Sequence, residues 1–324
     1  MTKPEQPEPD FGMPADSSPQ NWVGRYAPAR LRPYFLLARL DRPIGIWLLL
    51  WPCWWSIALA ATATSTPMYQ VIDLFVLFAI GAVVMRGAGC AFNDIIDRNL
   101  DAKVARTQNR PLPSGTLTLT GAVLFTALLC LTGLAILLTL NPFAVMLGAA
   151  SLGPIAVYPF MKRITWWPQL FLGIAFNWGA LLGWAAVTGS LGPAPIMLYV
   201  AGIAWTLGYD TIYAHQDKED DALIGVRSTA LRLGNKTRYW LAGFYTVTIL
   251  CIAGSYLLAA GDGIAAPSPL FAVLMVAAAA HLVWQIVNIK IDDPAHCLKI
   301  FRSNHHFGAL VFAAILIPLF WQHS

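Results

Sequence analysis

Carboxylates are scarce in this chain, which has 17 Asp and Glu among 324 residues, and they concentrate in two short segments. The first segment places three oxygen-bearing side chains one helical turn apart: Asn93, Asp97 and Asp101. The second segment has five carboxylates, and three of them are separated by two helical turns and then by one: Asp210, Asp217 and Asp221. Either spacing puts its three side chains on one face of a continuous helix.

Clustered carboxylates need a counter-charge, because like charges four residues apart destabilise a helix by roughly 0.2–0.5 kcal/mol per pair. Mg²⁺ suits such clusters, since it prefers one or two carboxylates together with water and phosphate oxygens. One acidic segment alone would be interpreted as a solvated loop. Two segments at the same position relative to apolar stretches predict a Mg²⁺ site for a diphosphate, because ionisable residues at membrane depth are functional by default.

Cationic side chains follow each acidic segment, as expected for a ligand that carries phosphates. The first segment is followed by Lys103, Arg106 and Arg110, and the second by Lys218, Arg227 and Arg232. The alternative is that these cations only set the orientation of the chain in a membrane. We prefer that alternative for Arg232 and leave both interpretations open for the others.

Two further cationic positions lie within or beside apolar stretches. Arg86 lies three helical turns before Asp97, which places it deeper in the membrane on the same helical face; pairing with another helix is the alternative. Tyr158 is followed by Lys162 and Arg163 at the end of another apolar stretch. A planar guanidinium suits the carboxylate of an aromatic acid, although these cations could equally be a topology signal.

The elements that must position these residues are apolar stretches. Apolar residues make up 57% of the chain and charged residues 12%, about half the charged fraction of an ordinary soluble domain. A membrane-spanning helix needs about 20 apolar residues. The chain has nine stretches of about that length: 43–61, 71–92, 117–140, 142–160, 168–187, 195–213, 239–260, 267–289 and 306–321. We therefore predict an all-α integral membrane protein with nine transmembrane helices.

The placement of charge predicts the orientation of the chain. Apart from Arg86, basic residues precede the first span or follow spans two, four, six and eight, so the positive-inside rule predicts a cytoplasmic N-terminus and an external C-terminus. We predict a disordered tail at 1–25 and an interfacial amphipathic segment at 26–42, with a plain linker as its alternative. A single transmembrane domain at 43–322 follows. The five dispersed cysteines indicate neither a disulfide framework nor a zinc site.

The acidic segments also resemble a known family. Residues 93–101 (NDIIDRNLD) resemble the NDxxDxxxD motif of the UbiA superfamily of intramembrane prenyltransferases, and residues 217–221 (DKEDD) resemble its second DxxxD motif. Five more segments resemble the 4-hydroxybenzoate polyprenyltransferase branch of that superfamily: 40–45, 85–90, 109–115, 158–163 and 209–214. The resemblance covers roughly residues 35 to 320.

The resemblance implies a nine-helix bundle around a central cavity and assigns roles to individual residues. The implied Mg²⁺ ligands and their supporting carboxylates are Asn93, Asp94, Asp97, Asp101, Asp217 and Asp221. The implied catalytic residues are Asp97, Asp210, Asp217 and Arg163, of which Arg163 orients the acceptor carboxylate. With the cationic and aromatic residues already described, the expected substrate-binding set is Arg86, Lys103, Arg106, Arg110, Tyr158, Lys162, Arg163 and Arg227.

The implied reaction transfers a polyprenyl group from its diphosphate to 4-hydroxybenzoate, meta to the carboxylate, in ubiquinone biosynthesis. Prenylation of dihydroxynaphthoate or homogentisate is the first alternative. A transporter is a distant one, because transport sites usually lie near the bilayer midplane. We expect membrane lipid as a partner, and neither nucleic acid nor a protein partner. The acidic N-terminal tail favours a bacterial inner membrane over a mitochondrial precursor.

Overall fold

The computed structural model describes residues 21–103, 107–260 and 268–322, and every regular element among them is a helix. Two 3₁₀ turns, His215–Asp217 and Gly234–Lys236, interrupt the α-helices. The α-helices, in chain order, are α1 (Trp22–Tyr26), α2 (Arg32–Leu37), α3 (Ile44–Thr64), α4 (Met68–Asp101), α5 (Leu119–Leu137), α6 (Pro142–Ala150), α7 (Leu152–Ile164), α8 (Pro168–Phe176), α9 (Trp178–Thr188), α10 (Pro193–Ala214), α11 (Lys218–Ile224), α12 (Thr229–Leu233), α13 (Thr237–Ala260), α14 (Pro269–Asn288) and α15 (Pro294–Gln322).

Each of the nine predicted apolar stretches contains helix, so the all-α membrane fold is confirmed. Among the described residues, eight helical segments are long and apolar enough to cross a membrane. The predicted span outside these eight is the sixth, 195–213, which corresponds to α10; this helix has 22 residues but carries polar side chains such as Thr206 and Asp210. The count of nine spans, the orientation of the termini and the central cavity stay predictions.

Two predicted spans are each built from two helices. Pro142–Ile164 is divided at Ser151 between α6 and α7, and Pro168–Thr188 is divided at Asn177 between α8 and α9. Asn177 is 1% exposed, and its side-chain amide donates hydrogen bonds to the Gly173 carbonyl (2.8 Å) and to Thr206 Oγ1 (2.8 Å). The amide nitrogen at this helix break is thereby hydrogen-bonded where water is absent, whereas Asn177 Oδ1 is buried without a hydrogen-bond partner among the described residues.

One compact unit comprises Ile44–Ala82 and Leu134–Ser324. Its centre is α10, which packs against α8, α9, α13 and α15. Close approach of α10 and α13 depends on Gly208, because a methyl group there would overlap the Tyr245 ring. Inside this core, Asn304 Oδ1 accepts from the Trp205 indole (2.8 Å) and from Gln285 Nε2 (3.1 Å). The network is fully buried, which makes its hydrogen bonds costly to remove.

A second compact unit comprises Met1–Pro43 and Val83–Gly133. Its core contains Leu37 from the end of α2, Ala91 from α4 and Ala122 from α5. The predicted tail at 1–25 is wrong for its last residues, since Asn21 caps the helix Trp22–Tyr26; residues 1–20 lie outside the described residues. The segment predicted at 26–42 contains the short helix α2 and turns, and its predicted place in the membrane interface stays a prediction. The single domain predicted at 43–322 stays a prediction.

Candidate active site

The first acidic segment lies on the last turns of α4, which continues without a break to Asp101. The prediction of one shared helical face for its oxygen-bearing residues is therefore confirmed. Asp97 is 1% exposed and Asp101 is 7% exposed, whereas Asn93 is half-buried. Burial of carboxylates requires compensating charge, and two arginines supply it in this unit.

Arg39 is the main partner of Asp94. Its Nη2 atom donates to both carboxylate oxygens of Asp94, at 2.7 and 2.8 Å, and its Nη1 atom donates to the Leu36 carbonyl at 3.0 Å. The side chains are 9% and 1% exposed. Short charge-assisted contacts from one guanidinium nitrogen to both oxygens hold the carboxylate firmly in place. Asp94 therefore serves as the anchor of Arg39, and its predicted place among the metal ligands stays a prediction that this geometry does not favour.

Arg110 links two carboxylates of the same segment. Its Nη1 atom donates to Asp101 Oδ2 at 2.8 Å and lies 3.3 Å from Asp94 Oδ1. The Thr107 hydroxyl donates to the Asp101 carbonyl at 2.8 Å, which closes the chain back onto the end of α4. Arg110 was predicted to bind substrate; the structure shows it as a clamp that holds the acidic segment together.

The backbone of Arg39 is strained. Its φ angle is 57°, in the left-handed region that non-glycine residues rarely adopt. Such a conformation persists only where surrounding contacts enforce it, and it clusters at functional sites. Here the end of α2 accounts for it: the Arg39 N–H donates to the Leu36 carbonyl at 3.1 Å and the Leu40 N–H donates to the Phe35 carbonyl at 3.0 Å, the arrangement that ends many helices with a left-handed residue.

The other cations predicted for this segment differ in exposure. Arg86 is half-buried within α4, and since that helix is continuous it lies three turns before Asp97, as predicted. Lys103 is exposed just after the helix end. Arg106 lies outside the described residues, so its predicted contact with substrate stays a prediction.

The second acidic segment does not form the uninterrupted helix predicted for it. The helix α10 ends at Ala214, a 3₁₀ turn spans His215–Asp217, and α11 begins at Lys218. The prediction that Asp210 shares one helical face with the later carboxylates is therefore wrong, because a 3₁₀ turn changes the angle between successive side chains. Asp217 and Asp221, one on each side of the start of α11, remain one turn apart, and both are half-buried.

His215 holds the 3₁₀ turn against the start of α13. The ring is 3% exposed, and its Nε2 atom lies 3.0 Å from Thr237 Oγ1. Burial, reinforced by the positive charge of Lys218, lowers the pKa of His215 to about 4. The imidazole is therefore neutral at physiological pH, and it positions the turn that carries Asp217 without adding charge beside it.

The segment predicted to hold the acceptor forms the C-terminal turns of α7. Tyr158 and Lys162 are half-buried and Arg163 is exposed. Arg227 ties a distant loop to this helix end: its backbone N–H donates to the Lys162 carbonyl at 2.9 Å, and its guanidinium lies 5.6 Å from the Trp166 ring. Its Nη1 atom also donates to the carbonyl of the last residue of α7. These contacts give Arg227 a structural role, so its predicted substrate contact gains no support.

The oxygen donors available in each segment suit Mg²⁺. Asn93 and Asp97 lie one turn apart on α4, and Asp217 and Asp221 offer a second pair of carboxylates. Among the described residues, no three His, Cys, Asp or Glu side chains converge closely enough to bind an ion by themselves. Mg²⁺ takes one or two carboxylates from a protein and completes its shell with water and substrate phosphates, so the pair of oxygen donors in either segment is sufficient for it.

Sequence reasoning missed Arg39 as a functional residue. It lies one position before the segment 40–45 that carried part of the family resemblance, but its partner Asp94 lies on another helix, far along the chain. No local spacing links the two residues. The available signal was the scarcity of counter-charges for a buried Asp beside an acidic motif, which requires some cation to approach it.

The comparison with protein families identifies the chain over most of its length. The model of the UbiA prenyltransferase family matches residues 49–311. A mitochondrial 4-hydroxybenzoate polyprenyltransferase of Arabidopsis thaliana is 48% identical over 93% of this chain and 72% of that protein. The protein of the same description from Aedes aegypti is 51% identical over 90% of this chain and 64% of its own length.

Solved structures share the fold. The structure of a UbiA homologue from Archaeoglobus fulgidus, bound to GPP and Mg²⁺, aligns with a TM-score of 0.59 and 18% identity, over 89% of this chain and 99% of that one. At that level of identity the likeness extends to the fold alone. It places the all-helical arrangement described above among proteins of the same architecture.

The comparison corrects the predicted location. The relatives that are about half identical to this chain are described as mitochondrial proteins, so the predicted bacterial inner membrane is wrong. The prediction depended on the acidic composition of the N-terminal tail, which reports on its charge and not on the compartment. The resemblance to the prenyltransferase motifs is confirmed by the family match from position 49 to position 311, and the chain belongs to the UbiA prenyltransferase family.

Proposed function

We propose that this chain transfers a polyprenyl group from polyprenyl diphosphate to 4-hydroxybenzoate, at the ring carbon meta to the carboxylate, with release of diphosphate. Membership of the family and about 50% identity to curated 4-hydroxybenzoate polyprenyltransferases support this assignment. The product class places the reaction in ubiquinone biosynthesis. The proposed site lies on the side of the membrane that carries the basic loops.

The observation that carries the proposal is the organisation of the first acidic segment. Asp97 is buried at the end of a helix that is apolar enough to cross a membrane. The carboxylates that precede and follow it on the same helix, Asp94 and Asp101, are held by Arg39 and Arg110. A chain that orders carboxylates and guanidinium groups together at the membrane edge can receive both a cation and an anionic diphosphate.

The individual residues divide the work. Asn93 and Asp97 on α4 would hold Mg²⁺, and so, in their own segment, would Asp217 and Asp221 at the start of α11. Bound Mg²⁺ would neutralise the charge of the diphosphate leaving group. Asp94 binds the guanidinium group of Arg39, and Asp101 binds that of Arg110. These ion pairs hold the first acidic segment in place. Asp210, half-buried on α10, supports the second segment from one helix away.

The acceptor and the chain-bearing substrate need separate contacts. We assign the carboxylate of 4-hydroxybenzoate to Arg163, with Tyr158 and Lys162 beside it at the end of α7. We assign the diphosphate to the half-buried Arg86 and the exposed Lys103. The polyprenyl tail is soluble only in an apolar environment, which accounts for an enzyme built into the bilayer.

The test is conversion of 4-hydroxybenzoate by the purified chain with a short polyprenyl diphosphate, with and without Mg²⁺, and mass spectrometry of the product. We expect a prenylated benzoate only when Mg²⁺ is present. Asp97→Asn should abolish the product, whereas Asp73→Asn, an exposed carboxylate near the start of the same helix, should not. Product from dihydroxynaphthoate or homogentisate, and none from 4-hydroxybenzoate, would contradict the acceptor. Equal product without Mg²⁺ would contradict the metal.

A further inference from the structure

A cavity separate from the acidic segments lies in the unit that contains the N-terminal helices. Its volume is about 480 Å³. Its walls come from the start of α2 and from the chain that leads into α5. The polar side chains that line it are Arg30, Arg32, Tyr34, Asn109, Thr116 and Thr118. Asp and Glu are absent from this described lining, so the cavity carries a net positive charge.

Arg32 has capacity for a ligand. Its Nη2 atom makes a long contact of 3.5 Å with the Ala27 carbonyl, and its buried Nε atom has no hydrogen-bond partner among the described residues. A buried guanidinium donor without a partner costs free energy, which an anion in the cavity would recover. Arg30 lines the same cavity and is exposed.

The N-terminus of α5 supplies a second, independent attraction for an anion. Thr118 lines the cavity and caps this 19-residue helix, accepting from the Gly121 N–H at 3.1 Å. The first N–H groups of a helix and its dipole favour negative charge. Two arginines and a helix start therefore converge on one concave space.

The position of the cavity indicates the source of the anion. The helix α5 is apolar enough to cross a membrane, and leucines on it are exposed, including Leu124 and Leu128 at 66% and 60%. A cavity at the first residue of such a helix lies at the level of lipid headgroups. The apolar surface of α5 can then receive an acyl chain of the molecule whose phosphate enters the cavity.

We propose that this cavity binds the phosphate group of an anionic membrane lipid, held by Arg30, Arg32 and the N-terminus of α5. A free phosphate has the same recognition chemistry and differs only in lacking the acyl chains that α5 would contact. The site is distinct from the prenyl-transfer site, because its lining includes none of the residues assigned to metal or acceptor. Binding there would secure the N-terminal helices to the membrane surface.

Native mass spectrometry of the full chain tests the proposal, with phosphatidylglycerol, phosphatidylcholine or inorganic phosphate as the probe. We expect preferential retention of phosphatidylglycerol. Arg32→Gln should raise the lipid concentration for half occupancy about tenfold, the effect of losing one charge-assisted hydrogen bond. Arg25→Gln is the matched control, because Arg25 is exposed on α1 and does not line the cavity, and it should change the value less than twofold.

Each outcome decides the proposal. Equal weakening by Arg32→Gln and Arg25→Gln would overturn it, because diffuse surface charge would then explain the binding. Equal retention of phosphatidylcholine and phosphatidylglycerol, with no phosphate effect, would also overturn it. Stabilisation by inorganic phosphate alone, lost in Arg32→Gln, would keep the anion site and exclude the lipid. If Arg32→Gln fails to fold, Arg30→Gln decides by the same criteria, since the Arg30 side chain is exposed.

Discussion

Replacing Asp94 with Asn separates an anchoring role from a metal-binding role. The change removes the negative charge that faces Arg39 at 2.7 and 2.8 Å and Arg110 at 3.3 Å, while the side-chain volume is conserved. Asp94 is 1% exposed, so water cannot replace it. Breaking a buried ion pair by removing one partner costs about 3–5 kcal/mol. Because the amide keeps one acceptor oxygen, we expect about 3 kcal/mol of lost stability.

Equilibrium unfolding in mixed micelles of dodecyl maltoside and SDS, followed by circular dichroism, measures this loss. Asp73→Asn is the matched control: it is the same substitution on the same helix, at an exposed carboxylate, and should change stability by less than about 0.5 kcal/mol. Activity at saturating substrate adds the second criterion. An anchor should leave the Mg²⁺ concentration for half-maximal rate nearly unchanged, whereas loss of a ligand should raise it.

Two outcomes would refute this reasoning. The first is an Asp94→Asn variant as stable as the wild type, which would mean that the buried pair adds nothing over a neutral hydrogen bond. The second is a large rise in the Mg²⁺ concentration needed for half-maximal rate, which would return Asp94 to the metal ligands. Arg39→Met supplies an independent check, since it removes the cation and should cost stability by the same mechanism.

Further substitutions test the other assignments. Asp97→Asn should lower turnover more than about 100-fold and weaken its Mg²⁺ dependence, measured by product formation in metal titrations; a fully active variant would contradict its role. Arg163→Ala should raise the KM for 4-hydroxybenzoate about tenfold with little change in kcat, and unchanged acceptor kinetics would remove Arg163 from that role. Asn304→Leu leaves the Trp205 indole without its acceptor and should cost about 1–3 kcal/mol in the same unfolding assay. Gly208→Ala should cost about 1–3 kcal/mol by overlap with the Tyr245 ring, whereas Gly243→Ala, with open space around it, should not.

The membrane spans were predictable because each apolar residue in a stretch adds to the hydrophobicity that identifies it, independently of contacts with other helices. A run of about 20 apolar residues specifies a membrane helix whatever its neighbours are, and each predicted span contains helix. The breaks were not predictable in this way. Asn177 divides one span through hydrogen bonds to Gly173 and Thr206, and the second of these partners is distant in sequence.

The candidate site was predictable to the extent that it is local. Regular spacing on α4 placed Asn93 and Asp97 on one face, since that helix is continuous. The same argument failed for Asp210, because a 3₁₀ turn intervenes before Asp217. A pattern of spacing assumes one helical geometry throughout, and it has no means of detecting a change of geometry between two clusters.

At Arg39, the residue type that best suits the left-handed backbone differs from the residue type that the contact with Asp94 requires. Gly or Asn would adopt that φ angle at lower cost, since strained residues of this kind cost on the order of 1–3 kcal/mol. Yet either replacement removes the guanidinium that orients Asp94. A screen for thermostable variants that scores unfolding temperature alone would measure the sum of two opposing effects at this position: relief of the backbone strain and loss of the contact with Asp94. Substitutions at residue 39 should therefore be selected by turnover, because stability is a misleading guide there.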